Sequence, residues 1–100
     1  MIDAQMTAVE EAVQRHARHI VAADSAAIKQ DCDPQVLQTP EDLYTQLCAS
    51  RFERYDLLGH AKIGFQHILK VRYVGPQAVT IHHRLGERHG KWLVLESERL

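Results

Sequence analysis

One hundred residues with 45% hydrophobic and 25% charged side chains make one globular domain, with room for a two-layer core but not for two cores. A net charge of −1 and an isoelectric point near 6.6 exclude the basic surplus that a nucleic-acid or anionic-membrane partner requires. The two cysteines, Cys32 and Cys48, have no C-x-x-C spacing and suit free thiols in a reducing compartment rather than a disulfide framework.

From Asp3 to about Ala22 the apolar residues Met6, Val9, Val13, Ala17 and Ile20 recur at three- and four-residue steps, which predicts an amphipathic helix. Acids near its start and no long apolar run mean that it is neither a signal peptide nor a membrane span, so a cytoplasmic protein is expected. Asp24 reads as the N-cap of a short second helix, Ser25 to Asp31, with one continuous helix through Ala23-Asp24 as the alternative, and Asp33-Pro34 ends the helical run. Gln35 to Gln38 reads as a short edge strand or a loop. Thr39-Pro40-Glu41-Asp42 is a strong helix start, with threonine as cap and proline in the first helical position. That helix is expected to carry the stripe Leu43, Tyr44, Leu47, Cys48, Phe52 and Tyr55 and to run to Leu58, with Gly59 just past its end. His60 to Gly64 then link it to a sheet.

The last third alternates apolar and polar residues three times, which predicts an antiparallel meander over about 65–75, 78–87 and 91–99. Phe65, His67, Leu69, Val71 and Tyr73 share one face, as do Val79, Ile81, His83 and Leu85, and then Leu93 and Leu95. Three-residue loops at Gly75-Pro76-Gln77 and Arg88-His89-Gly90 would pair Tyr73 with Val79 and Leu85 with Leu93. On the other face His82 would lie between Lys70 and Glu96, Thr80 between Arg72 and Glu98, and Trp92 over Gly86. Helices packed on the apolar face complete an α+β two-layer fold.

This element order, with the long first helix running into Ala22-Ala23-Asp24-Ser25-Ala26-Ala27-Ile28 and the C-terminal strands, resembles the nuclear transport factor 2-like superfamily, the cystatin-like α+β cone. The resemblance covers nearly the whole chain. It implies a curved sheet around a pocket, as in that superfamily's ketosteroid-isomerase-like and polyketide-cyclase-like enzymes. Its isomerases use a pocket aspartate, and the expected pocket-facing strand positions here carry no Asp or Glu.

Seven histidines are the compositional oddity. His67 and His83 fall on the apolar face with Tyr73, beneath the helix bearing Tyr44, Cys48 and Tyr55. Such a set would line a ligand pocket able to exchange protons near neutral pH, or would be hydrogen-bonded within the core. His16 and His19, one helical turn apart, could share a metal but show no carboxylate partner in sequence, so no metal is assigned. His82 and His83 point to opposite faces, and His89 sits in a turn. Cys48, mid-helix, reads as a structural thiol. There is no glycine-rich phosphate loop, no G-x-S-x-G and no paired-carboxylate motif, and no cofactor is implied. The leading expectation is therefore a non-catalytic binding or assembly domain, dimerising through the charged sheet face with Trp92, Val94 and Ile68 as contacts. The alternative is a small pocket enzyme or carrier for an apolar carbonyl compound.

Overall fold

The stripe read from the N-terminal sequence builds a helix, α1, over Ala4–Val21, followed by α2 over Ser25–Gln30. In this computed structural model, residues 4–33 and 41–100 are described. Val9, Val13, Ala17 and Ile20 of α1 are all but inaccessible to solvent, each buried valine or isoleucine stabilising the fold by about 1.5–3 kcal/mol. Asp24 caps α2 as expected, its carboxylate accepting from the Ala27 amide at 3.2 Å. The possible strand at Gln35–Gln38 and the Thr39-Pro40 cap lie outside the described residues.

The third helix, α3, spans Glu41–Ala49, and here the structure corrects the sequence reading. The expected helix to Leu58 ends nine residues earlier. Arg51 takes a left-handed φ of 54°, and the chain enters a strand, β1, over Arg54–Ile63. Phe52 and Tyr55 keep spacings that suit a helix, but pairing with a neighbouring strand outweighs that local preference. The sheet is therefore a four-stranded antiparallel meander in the order β1, β2 (Gln66–Val74), β3 (Ala78–Arg88), β4 (Lys91–Arg99). Contacts from α1 to β1, β2 and β4 make the second layer of the α+β fold.

The β2–β3 register is the expected one, with Tyr73 opposite Val79 across the Gly75-Pro76-Gln77 loop. The β3–β4 register is not. The turn is the two residues His89-Gly90, both with positive φ (54° and 79°), and Arg88 pairs with Lys91. A two-residue turn of this kind matches the twist of the flanking strands better than the three-residue loop read from sequence. Leu85 thus faces Val94, Gly86 faces Leu93, and Trp92 faces Glu87. This one-residue slip exchanges faces. Trp92 and Val94 turn inward, with Trp92 against the His67 ring and Val94 buried, and Leu93 turns outward.

A bulge at Leu95 then restores the phase: Arg84 pairs with Glu96, His83 with Ser97 and His82 with Glu98. His82 accordingly lies between Lys70 and Glu98, not Lys70 and Glu96. Leu95 itself folds over Gly86, where an added Cβ would stand 2.8 Å from Leu95 Cδ1. The free edge of β4 is met by the end of α2, as Val94 exchanges hydrogen bonds with Asp31 and Asp33. That contact holds Asp31, itself buried, against the edge of β4.

Candidate functional site

Six polar side chains, from α1, α3, β2, β3, β4 and the residue that ends α2, form one line through the interior. From α1, His16 projects into the core beside Val13, Ala17 and Ile20, and it is inaccessible to solvent. Its Nδ1 lies 2.9 Å from Asp31 Oδ2, and its Nε2 lies 3.0 Å from the Tyr44 hydroxyl of α3. Tyr44 Oη is 2.6 Å from Ser97 Oγ on β4. Ser97 Oγ is 2.7 Å from His83 Nδ1 on β3, and His83 Nε2 is 2.7 Å from the Tyr73 hydroxyl on β2. The His16 and His83 rings also meet edge to face at 5.0 Å.

Electrostatics give the line a direction. Burial would lift the Asp31 carboxyl, but hydrogen bonds from His16 and His19 outweigh it and hold the group below its ordinary range. Burial lowers the pKa of His16 and, further, that of His83, so both rings are neutral at pH 7. Ionised Asp31 can only accept, so neutral His16 donates through Nδ1–H and accepts through Nε2. Tyr44 must then donate to His16, Ser97 to Tyr44, His83 to Ser97, and Tyr73 to His83. Burial pushes both tyrosine hydroxyls above their ordinary range, which keeps those protons in place. Every hydrogen bond thus points toward one carboxylate. Cys32 stands beside the centre of the line, Sγ to Tyr44 Oη at 3.9 Å, its thiol raised by burial.

Of the sequence-derived pocket residues, the structure brings His83, Tyr73 and Tyr44 into this line. His67 belongs to a second cluster, where His60 Nε2 lies 2.7 Å from His67 Nδ1 and His60 Nδ1 lies 3.3 Å from Glu10 Oε1. The edge of Trp92 closes that cluster at a ring separation of 5.2 Å. Cys48 is half-buried at the end of α3 outside the line, and burial raises its thiol. Tyr55 sits on β1, not on the helix, where it faces Tyr73 and lines an open groove of about 360 Å³ with Arg18, Val21, Ala22, Glu53 and Arg54.

Sequence reasoning finds no carboxylate partner for His16 and His19. In the fold Asp31 serves both, with His19 Nδ1 at 2.6 Å and Arg15 Nε at 3.5 Å. The only hint in sequence was His16 lying on the apolar stripe, three residues after Val13 and four before Ile20. Ser97 shared the inward alternation of Leu93 and Leu95, but the register read from sequence set it opposite Ile81, and the two-residue turn and bulge bring it to His83 instead. Among the described residues no group of three or more His, Cys, Asp or Glu side chains is arranged to hold a metal ion. None of their helices is long and apolar enough to cross a membrane.

No protein-family model and no curated protein matches the chain. Solved structures do match it in fold. An NTF2-like protein of unknown function from Shewanella baltica OS155 superposes with a TM-score of 0.73 at 13% identity, over 93% of this chain and 90% of that one. An NTF-2 like protein of unknown function from Silicibacter pomeroyi DSS-3 gives 0.71 at 10% identity over 96% of both chains. One from Burkholderia xenovorans LB400 gives 0.60 at 15% identity, over 98% of this chain and 85% of that one. The chain has the nuclear transport factor 2-like fold.

Proposed function

We propose that this nuclear transport factor 2-like domain binds a small, largely apolar carbonyl compound at Tyr44 and exchanges a proton with it along the interior line. The observation that carries the reading is the common direction of five hydrogen bonds ending on ionised Asp31. Such an interior is not the most stable one available. Well-packed apolar side chains of similar volume often match or exceed the stability of a buried polar network, so six polar groups in a 100-residue domain favour a chemical role.

Tyr44 and Cys32 are half-buried while His16, Ser97, His83 and Tyr73 are fully buried, so a ligand would approach from the Tyr44 side. The α-carbon of the compound gives a proton to Tyr44 Oη as Tyr44 passes its own to His16 Nε2, the electrons of the broken C–H bond staying on the ligand. His16 in turn passes its Nδ1 proton to Asp31. One proton leaves the ligand as it becomes an enolate, and one arrives on the carboxylate; the reverse step returns it. Ser97, itself held by His83, fixes Tyr44 from the far side. The assembly role expected from sequence has lost its anchor, because Trp92 lies inside.

The test is deuterium exchange into the α-position of cyclohexanone, followed by proton NMR in buffered heavy water. The protein should accelerate exchange over buffer, Tyr44→Phe should abolish the acceleration, and Cys32→Ala, beside the line but not in it, should keep it. No acceleration by the wild-type protein, together with no thermal stabilisation by cyclohexanone, acetylacetone or phenol, would sink the proposal.

A further inference from the structure

The last turn of α1 and the chain entering β1 enclose an open groove of about 360 Å³, near the lower end of the volumes that ligand pockets occupy. None of its six lining residues belongs to the interior line. Half-buried Val21, with Ala22 just past the helix, and half-buried Tyr55 on β1 give it apolar walls. Arg18, Arg54 and Glu53 add charge. Among the described residues Arg18 and Glu53 form no ion pair, and the one that Arg54 forms, with Asp56, is 4.0 Å long. Both guanidinium groups are thus open to a further partner. The carbonyl end of a helix repels anions, but here it is covered. The Arg18, Ile20 and His19 oxygens accept from the Ala22, Ala23 and Asp24 amides, with Ala23 at a left-handed φ of 56°.

We propose that this groove binds a small monocarboxylate with an apolar body, the carboxylate between Arg18 and Arg54 and the body against Tyr55, Val21 and Ala22. The charge balance selects that class. Two guanidinium groups and one carboxylate leave a single positive charge, which a monoanion matches. A dianion would stand against Glu53, and an ammonium group against both arginines. An inorganic anion has nothing to bury on the apolar walls. An aromatic body gains most, since its ring can pack on that of Tyr55. Such a ligand of about ten non-hydrogen atoms, at the efficiency usual for drug-sized molecules, binds at about 5 mM. The site goes beyond the reading of Tyr44 and stands whether or not that residue exchanges protons.

The test follows amide chemical shifts of the isotope-labelled intact chain by NMR, with phenylacetate added to about 50 mM to span that affinity. Saturable shifts are expected at Val21, Ala22, Glu53, Arg54 and Tyr55. Phenylacetamide and phenethylamine should bind at least about threefold more weakly. Arg18→Gln and Arg54→Gln should each weaken phenylacetate binding about two- to fivefold, and Glu53→Gln should tighten it. Lys91→Gln, at the distant β3–β4 hairpin, should leave it unchanged. All four side chains are exposed, so each variant keeps the fold, which the same spectra verify. No saturable shift at the groove, or equal binding of the neutral amide, would overturn the proposal. So would arginine variants that bind as the wild type does, or shifts centred on Tyr44 and His83 instead.

Discussion

Replacing His83 with leucine tests the reading of the interior line as a set of mutually dependent hydrogen bonds. The side chains are close in volume, so the change removes chemistry more than packing. His83 is the acceptor of the Tyr73 hydroxyl at 2.7 Å, and Tyr73 is fully buried. Its stranded O–H costs about 1–3 kcal/mol, while Ser97 can still donate to Tyr44. Burying leucine where a desolvated imidazole stood returns on the order of 1 kcal/mol. A net loss of up to about 2 kcal/mol remains, which for a domain of this size lowers Tm by up to about 16 °C. Tyr73→Phe alone strands His83 Nε2 and should cost a similar amount. The double variant strands neither group, so its loss should fall short of the summed single losses by about 1–2 kcal/mol. Urea unfolding followed by fluorescence of the single tryptophan, Trp92, measures all four proteins. A double variant whose loss equals the sum of the singles refutes the reasoning.

Two further outcomes follow from the same structure. His16 and His83 have lowered pKa values in the fold, whereas the unfolded chain takes up protons near pH 6.5. Stability should thus be full above that pH and fall below it by up to about 2.7 kcal/mol per pH unit, with depressed Asp31 adding to the loss below about pH 4. Urea midpoints at neutral and mildly acidic pH measure this slope; His83→Leu should halve it, and a flat profile would contradict the assigned neutral rings. At Gly75, an added Cβ would meet Arg51 O at 3.1 Å and Phe52 Cα at 3.2 Å, both backbone atoms. Gly75→Ala should therefore destabilise by about 1–3 kcal/mol, against a much smaller loss for Gly59→Ala, whose nearest neighbour lies 4.0 Å away.

The parts of the fold legible in sequence are those fixed by near neighbours. The α1 stripe, the Asp24 cap and the β2–β3 hairpin each depend on residues a few positions apart, and each is found in place. β1 is not of that kind. Its residues Tyr55, Leu57 and His60 turn inward because they pair with β2, while in sequence Tyr55 stands three residues after Phe52, a spacing that passes for a helix. The β3–β4 register turned on whether Arg88 belonged to the turn or the strand, which the positive φ at His89 decides.

The candidate site was half legible for the same reason. Alternation put His83 and Tyr73 inward and the α3 stripe brought Tyr44 toward them, while His16 gained its meaning from Asp31, fifteen residues on, once the end of α2 joined β4.

The bulge in β4 bears on how this strand can change length. Before Leu95 the even-numbered residues Trp92 and Val94 face inward, and after it the odd-numbered Ser97 does. Drawn out straight from Val94, the unaltered strand would present Glu96 to His83 and swing Ser97 outside. Excising Leu95 would instead heal the ladder, leaving Glu96 opposite Arg84 and Ser97 opposite His83, where they already stand. β4 is thus two spliced patterns, and Leu95 is the seam between them. A codon gained or lost there is absorbed by the buckle, whereas one gained or lost beside Ser97 would carry a carboxylate into the interior.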